Sequence, residues 1–274
     1  MHPTLIVAHP GTAHFDDVTA VSLILASHPG TEFRVERRQP TPADMDNPDV
    51  WVLDIGGRHE PDKHKFDHHQ SLDCPATFVL VADYLKLTDI LSVQPWWHFK
   101  DEVDRFGPVK TAQKYGAGDD LVNRSPVETW LVDTFAATTK PSAELLSIMK
   151  GYGMNLIQES RLLKSQIDFW KTSKRLVIAG RPAIIAESTE TAGIDEYHRI
   201  ADVPPEIVIT LDKRGAGWRL FRFDGAPVDF TRISDWPEIA FSHKSGFVAT
   251  TKERISQDRL IELVSKAIIT DERK

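Results

Sequence analysis

The chain has 274 residues, with 41% hydrophobic and 27% charged content, the profile of an ordinary folded protein rather than a disordered or low-complexity one. A net charge of −7 argues against a large basic platform for nucleic acid, though not against a short oligonucleotide or a nucleotide, and the single cysteine, Cys74, excludes an internal disulfide framework or a cysteine zinc site. No apolar run approaches the ~20 residues of a membrane span, and the start, Met1 to His9, is too short and too quickly polar for a signal peptide. A lone cysteine fits a reducing compartment, so the expected location is cytoplasmic.

The length makes two domains the natural expectation, with one large domain the alternative. Charge is uneven between them: residues 1–150 carry 14 Lys and Arg against 22 Asp and Glu, and residues 151–274 carry 19 against 18. The acidic half is where bound cations would offset charge.

In chain order, Thr4 to His9 reads as a buried strand of the parallel type. A Pro10-Gly11 turn follows, and Asp16 and Asp17 open an apolar helix through Val18 to Ala26, where carboxylates suit the first turn. Phe33 to Arg38 alternates like a strand, Asp49 to Gly56 is a second buried strand, Lys65 to His69 is short and extended, and Ala76 to Leu85 is helical. Strand and helix alternating in this way predict an α/β fold. From Pro141 to about Ser173 apolar residues recur at helical spacing, interrupted by Gly151 and Gly153, which predicts two helices. Four strands follow at 175–179, 183–186, 206–211 and 217–223, and a last helix from Ile255 to about Thr270. The expected organisation is a catalytic domain over 1–140, a helical connector over 141–173 and a smaller α+β domain over 174–274.

The chemistry concentrates in the first half. His9, His14, Asp16 and Asp17 crowd one loop after a strand; Asp54 ends an apolar run before Gly56-Gly57; Asp67-His68-His69 follows the next extended segment. In an α/β fold the loops past the carboxyl ends of strands form the ligand crevice, so these positions would converge. Hard oxygen and borderline nitrogen donors without a thiolate suit Mn²⁺, Mg²⁺, Co²⁺ or Zn²⁺. A helix-start role accounts for one Asp of the first loop but for neither histidine, and Asp17 fits a helix N-terminus or a supporting role as well as a ligand. An unpaired carboxylate in a buried strand costs several kcal/mol, so Asp54 calls for a cation.

The Asp-His-His run, the isolated Asp54 and the His/Asp loop together resemble the DHH phosphoesterase superfamily. His9-x4-His14-x-Asp16-Asp17, Asp54-Ile-Gly-Gly and Phe66-Asp-His-His-Gln70 resemble its melanocyte-proliferating-gene (Myg) branch, in which a His-x-Asp pair replaces Asp-x-Asp. That resemblance implies an N-terminal DHH-type domain with a mostly parallel sheet flanked by helices, a second smaller domain, and a cleft between them. It adds Asp104, in Asp101-Glu-Val-Asp104, as a last ligand. It also makes Phe241-Ser-His-Lys-Ser-Gly-Phe-Val248 a loop of the second domain facing the metals, with Arg222, His243, Lys244, Ser245 and Gly246 binding substrate phosphates. The stretch Thr231 to Pro237 is shorter than the family's corresponding insert, which bears on substrate length.

The resemblance implies two divalent ions, Mn²⁺ first, one held by His9, His14 and Asp54 and the other by Asp16, Asp54, His68 and Asp104. His69 would serve the chemistry as hydrogen-bond donor or acid, and Asp67 would orient an imidazole. The implied activity is a 3′–5′ exonuclease, hydrolysing short RNA or single-stranded nucleic acid to mononucleotides with a metal-activated water. Trp96-Trp97 or Trp218 would stack a base, unless they are core. Two rivals stand beside this reading: a phosphatase for pyrophosphate or a nucleoside bisphosphate, and a metal-stabilised binding protein without turnover.

Overall fold

Each apolar run that ends in a ligand candidate folds as a short strand, and the strands lie side by side. A computed structural model describes residues 3–116 and 125–269, which fall into two compact units, Met1–Leu162 and Leu163–Lys274. The first unit contains β1 (Thr4–Ala8), α1 (Phe15–Ser27), β2 (Phe33–Arg37), α2 (Pro42–Asp46), β3 (Trp51–Leu53), β4 (His59–Glu60), β5 (Lys65–Phe66), α3 (Thr77–Tyr84), α4 (Thr88–Leu91), α5 (Trp97–Phe106), α6 (Pro108–Lys114), α7 (Pro126–Ala136) and most of α8 (Ala143–Thr172).

Its sheet has the order β2-β1-β3-β5-β4, parallel throughout except where β4 meets β5. Side chains alternate across it as the pleat requires. Ile6 and Ala8 join the main core with α1, α3, α7 and the start of α8, while Leu5, Val7 and Val52 pack with Met45 and Val50 on the other side. Helix α1 is buried from Asp16 to Leu25 without a break, which is why it reads as uniformly apolar rather than amphipathic.

Residues 143–172 form one helix of 30 residues, not the two that Gly151 and Gly153 predict. Gly153 is there for contact. A Cβ on it would overlap the Ser22 carbonyl oxygen of α1, so only glycine lets the two helices approach this closely. Nothing lies within 4 Å of a Cβ at Gly151.

The second unit continues with β6 (Lys174–Ile178), β7 (Arg181–Ile185), α9 (Ile194–Ile200), β8 (Ile207–Leu211), β9 (Trp218–Arg222), β10 (Ile239–Ser242), β11 (Val248–Thr251) and α10 (Gln257–Ala267). The sheet order is β10-β11-β9-β8-β7-β6, with α9 making the crossover of the single parallel pair, β7 and β8. The four expected strands are present. The stretch expected as a loop, 241–248, is instead the end of one strand, a tight turn and the start of another, so the sheet gains β10 and β11. Thr270, the expected last residue of the final helix, lies outside the described residues; the helix ends at Ala267. Among the described residues no helix is long and apolar enough to cross a membrane.

Candidate metal centre

His9 follows β1, Asp54 follows β3 and Asp67 follows β5, so three neighbouring parallel strands deliver their next residue to one edge of the sheet. Asp54 leaves its strand in the left-handed region, φ 58°, a conformation few side chains tolerate and Asp tolerates better than most. The loop after β1 and the start of α1 bring His14, Asp16 and Asp17; α5 brings Asp104.

Donor atoms gather in three overlapping groups, each with its members within 4.8 Å of one another: Asp54, His68 and His69; His9, Asp17 and Asp54; Asp16, His68 and Asp104. Asp54 and His68 each belong to two of them. His68 Nε2 is 3.2 Å from Asp54 Oδ1 and 3.0 Å from Asp104 Oδ2. His14 is exposed, and its Nδ1 stands 4.0 Å from Asp104 Oδ1. Asp17, the ambiguous carboxylate of the sequence, is fully buried: Oδ2 accepts the His14 amide at 2.9 Å and caps α1, while Oδ1 has no hydrogen-bond partner. His9 Nδ1 is likewise buried and unpartnered.

The supporting contacts are specific. Asp16 accepts the Phe78 amide at 2.5 Å and the Thr77 amide at 3.0 Å, at the N-terminus of α3, where a carboxylate is favoured. Thr77, which carried no signal in the sequence, donates its hydroxyl to Asp54 Oδ1 at 3.2 Å. Asp67 is buried and accepts the Gly57 amide at 2.6 Å, the His69 amide at 3.0 Å and meets His69 Nδ1 at 2.8 Å. Burial opposes ionisation of Asp67, but these donors outweigh it and hold the carboxyl below its usual range. His69 itself is exposed.

Electrostatically, carboxylates outweigh the positive charge near them, which includes Arg37 beside Asp17. Burial first, then Asp104, Asp54 and Asp17, pushes Asp16 well above the usual carboxylate range. Burial, then Asp54, pushes Asp17 up to about 8. Burial works against a charge on His68, yet hydrogen bonds to Asp104 and Asp54 raise it to about 11, so in the metal-free chain an imidazolium stands among the carboxylates. A divalent cation answers the same deficit with more charge and gives the orphaned His9 Nδ1 and Asp17 Oδ1 a partner. The donor set therefore fits a metal.

In the second unit, His243 to Phe247 makes the β10–β11 turn. His243 Nδ1 is 2.7 Å from Ser245 Oγ, and the amides of Ser245 and Gly246 donate to His243 Nδ1 and the His243 carbonyl at 3.2 and 2.8 Å. These amides are engaged within the turn, which leaves the exposed His243 and Lys244 side chains as its outward groups. Gly246 sits at φ 68°, and a Cβ there would overlap Asp229 Oδ1. Arg222 donates to the Phe223 carbonyl at 3.2 Å, and its Nε is buried without a partner. Trp97 and Trp218 are buried core residues, so neither presents a face for a base, and Trp96 is half-buried against Phe15 and Phe78.

Comparison with known proteins bears out the Myg resemblance over the stretch that holds its first three motifs. Residues 5–75, which hold the first three motifs, match the family model MYG1_exonuc, described as "Uncharacterised protein family (UPF0160)". The MYG1 exonuclease of Bos taurus is 34% identical over 70 residues, a stretch that makes up 26% of this chain and 18% of that protein. Among solved structures, the pGpG-specific phosphodiesterase PggH of Vibrio cholerae aligns over 97% of this chain and 99% of its own at 13% identity and a TM-score of 0.29. RecJ of Thermus thermophilus, in complex with Mg²⁺, aligns over 96% of this chain and 49% of its own at 12% identity and a TM-score of 0.29.

Proposed function

We propose that the chain is a metal-dependent phosphoesterase, specifically a 3′–5′ exonuclease that hydrolyses short RNA or single-stranded nucleic acid to mononucleotides. One observation carries the reading: Asp54, a buried carboxylate on a left-handed backbone, belongs to two donor groups at once. A shared carboxylate is what two adjacent cations require. Two divalent ions, Mn²⁺ before Mg²⁺, Co²⁺ or Zn²⁺, would supply the Lewis acidity that polarises a phosphoryl oxygen and acidifies water. His9, Asp17 and Asp54 would hold one; Asp16, Asp54, His68 and Asp104 would hold the other. His14, expected with His9 and Asp54, has its Nδ1 4.0 Å from Asp104 Oδ1 and its ring beside that of His9, so it stands between the two sets.

The remaining roles belong to the chain itself. Asp67 fixes the His69 ring through Nδ1 and leaves Nε2 on an exposed imidazole, suited to hydrogen-bond a phosphoryl oxygen or to protonate the leaving oxygen. Arg222, His243 and Lys244 are assigned to the substrate's other phosphates. The name of the bovine relative, matched over the stretch that contains the three motifs, supports a nuclease among phosphoesterases.

The test incubates the chain with Mn²⁺ and 5′-labelled short RNA, the matching DNA or pyrophosphate, beside Asp54→Asn. Stepwise shortening from the 3′ end is expected, slowed about 10²-fold or more in the variant. Phosphate release from pyrophosphate alone would overturn the nuclease reading and keep the metal centre. Retained Mn²⁺ binding with no turnover of any substrate would favour a binding protein.

A further inference from the structure

The sheet of the second unit has two faces with different surroundings. Ile207, Ile209, Leu220 and Ala249 go to the core beneath α10. Their neighbours alternate to the other face, where the register sets Phe241 of β10 beside Thr250 of β11 and Thr250 beside Arg219 of β9. A cavity of 560 Å³ opens there, bordered by Lys213, Arg214, Arg219, Phe241 and Phe247.

Two features of this border point to one kind of ligand. The first is a succession of rings: Phe241 to His243 at 6.4 Å, His243 to Phe247 at 4.7 Å and Phe247 to Phe221 at 6.3 Å between centroids. It ends on Phe241, which is 51% exposed and so presents its ring to solvent at the rim of the cavity. The second is charge. In a chain of net charge −7, three cations border this cavity against one carboxylate, Asp212, whose Oδ1 accepts the Arg214 amide at 3.1 Å. Lys213 and Arg214 are exposed on the β8–β9 turn, and the Arg219 guanidinium lies 5.0 Å over the Phe221 ring.

Val208 and Thr210, on the same face further in, are buried, so what lies open is the edge at β10 and β11 with the β8–β9 turn. Rings and cations side by side on such an exposed edge suit unstacked bases joined by phosphates. A duplex hides its base faces, and an apolar peptide has no use for the cations. We propose that this face binds a single-stranded oligonucleotide, with bases against Phe241 and Phe247 and phosphates against Lys213, Arg214 and Arg219. This surface extends the proposed function and rests on it for the identity of the strand it serves. It adjoins the His243–Lys244 turn, since the His243 ring lies between Phe241 and Phe247, but its proposed contacts, Phe241, Phe247, Lys213, Arg214 and Arg219, are none of the groups assigned above to substrate phosphates.

The test measures fluorescence anisotropy of a labelled single-stranded RNA, and its DNA counterpart, of about ten nucleotides, with the full chain in EDTA so that hydrolysis is off. Phe241→Ala is expected to weaken binding roughly tenfold. The exposed double variant Lys213→Gln with Arg214→Gln, which guards against a folding defect at Phe241, is expected to weaken binding and to lower the salt slope by about 1.4. Hydrolysis of a dinucleotide in Mn²⁺ reads the metal centre separately and is expected to stay unchanged in both variants. Equal affinity in wild type and variants overturns the surface, as does absence of binding by the wild type. A concentration-dependent dimer that Phe241→Ala dissolves, with oligonucleotide affinity unchanged, overturns it in favour of a second copy of the chain. Binding that both variants weaken, without hydrolysis of any substrate, upholds the surface and removes the exonuclease reading instead.

Discussion

At the scale of single residues, the two histidines of the Asp-His-His run have different surroundings, and that difference predicts different losses. His68 is buried between Asp54 and Asp104, whereas His69 is exposed and tied to Asp67. His69→Ala is expected to retain Mn²⁺ binding by calorimetry while turnover falls about 10²- to 10⁴-fold, the range of a lost general acid; unchanged turnover would remove His69 from the chemistry. Lys65 makes a different point, because nothing in the sequence singled it out. The residue is fully buried, and its ammonium donates to the carbonyls of Asn47, Val50 and Lys63 at 3.0, 2.5 and 2.8 Å. The ammonium thereby ties together the segments that lead into β3 and β5, the strands that aim Asp54 and Asp67 from their other ends. Lys65→Met would bury a similar volume and take the ammonium from the Val50 and Lys63 carbonyls, while the Asn47 carbonyl keeps the Val50 amide at 3.2 Å, at about 1–3 kcal/mol for a lost buried partner. Urea denaturation at neutral pH checks this, and an unchanged midpoint would mean the carbonyls find other donors.

At the scale of elements, the glycines of α8 give a paired prediction. Gly151→Ala meets open space, so helix propensity alone should stabilise the chain by about 0.5–1 kcal/mol. Gly153→Ala gains the same propensity but drives a methyl into the Ser22 carbonyl, and is expected to lose stability by about 1–3 kcal/mol, the usual range for overpacking. Equal shifts from the two substitutions in a denaturant titration would refute the close α1–α8 contact. The pair also shows why sequence alone predicts two helices here. A glycine inside a helical pattern is the same symbol whether it ends a helix or admits a neighbour, and only the neighbour decides. The strands that feed the site were legible because their buried runs are continuous and end abruptly in charge: β1 at His9, β3 at Asp54, β5 at Asp67. Strands β10 and β11 were not, since the His-Lys-Ser-Gly segment between them stands out as a motif and its flanks are short and half exposed. Thr77 was invisible for a related reason: a hydroxyl at a helix start is ordinary until a carboxylate from another strand is found beside it.

At the scale of the whole molecule, the acidic excess of residues 1–150 couples stability to pH and metal. Without metal, Asp17 titrates at about 8 against an ordinary value of 3.8, Asp16 is raised as well, and His68 titrates at about 11 against 6.5. All three bind protons more tightly folded than unfolded. Their contribution to stability is thus fully present below the ordinary values and is lost as pH rises through the folded ones. Divalent cations need the same groups deprotonated, so their binding strengthens over the same interval. The two dependences have opposite signs. The melting temperature in EDTA is expected to fall between about pH 6 and pH 9, and the melting temperature in Mn²⁺ to lie above it by a margin that widens with pH. The difference between the curves cancels groups remote from the site, which titrate alike in both. In Asp54→Asn the shared ligand is gone, so the margin should shrink at every pH. A margin in the wild type that is constant with pH would mean that the cation binds away from Asp16, Asp17 and His68, and would separate the metal from the carboxylates assembled at the ends of β1, β3 and β5.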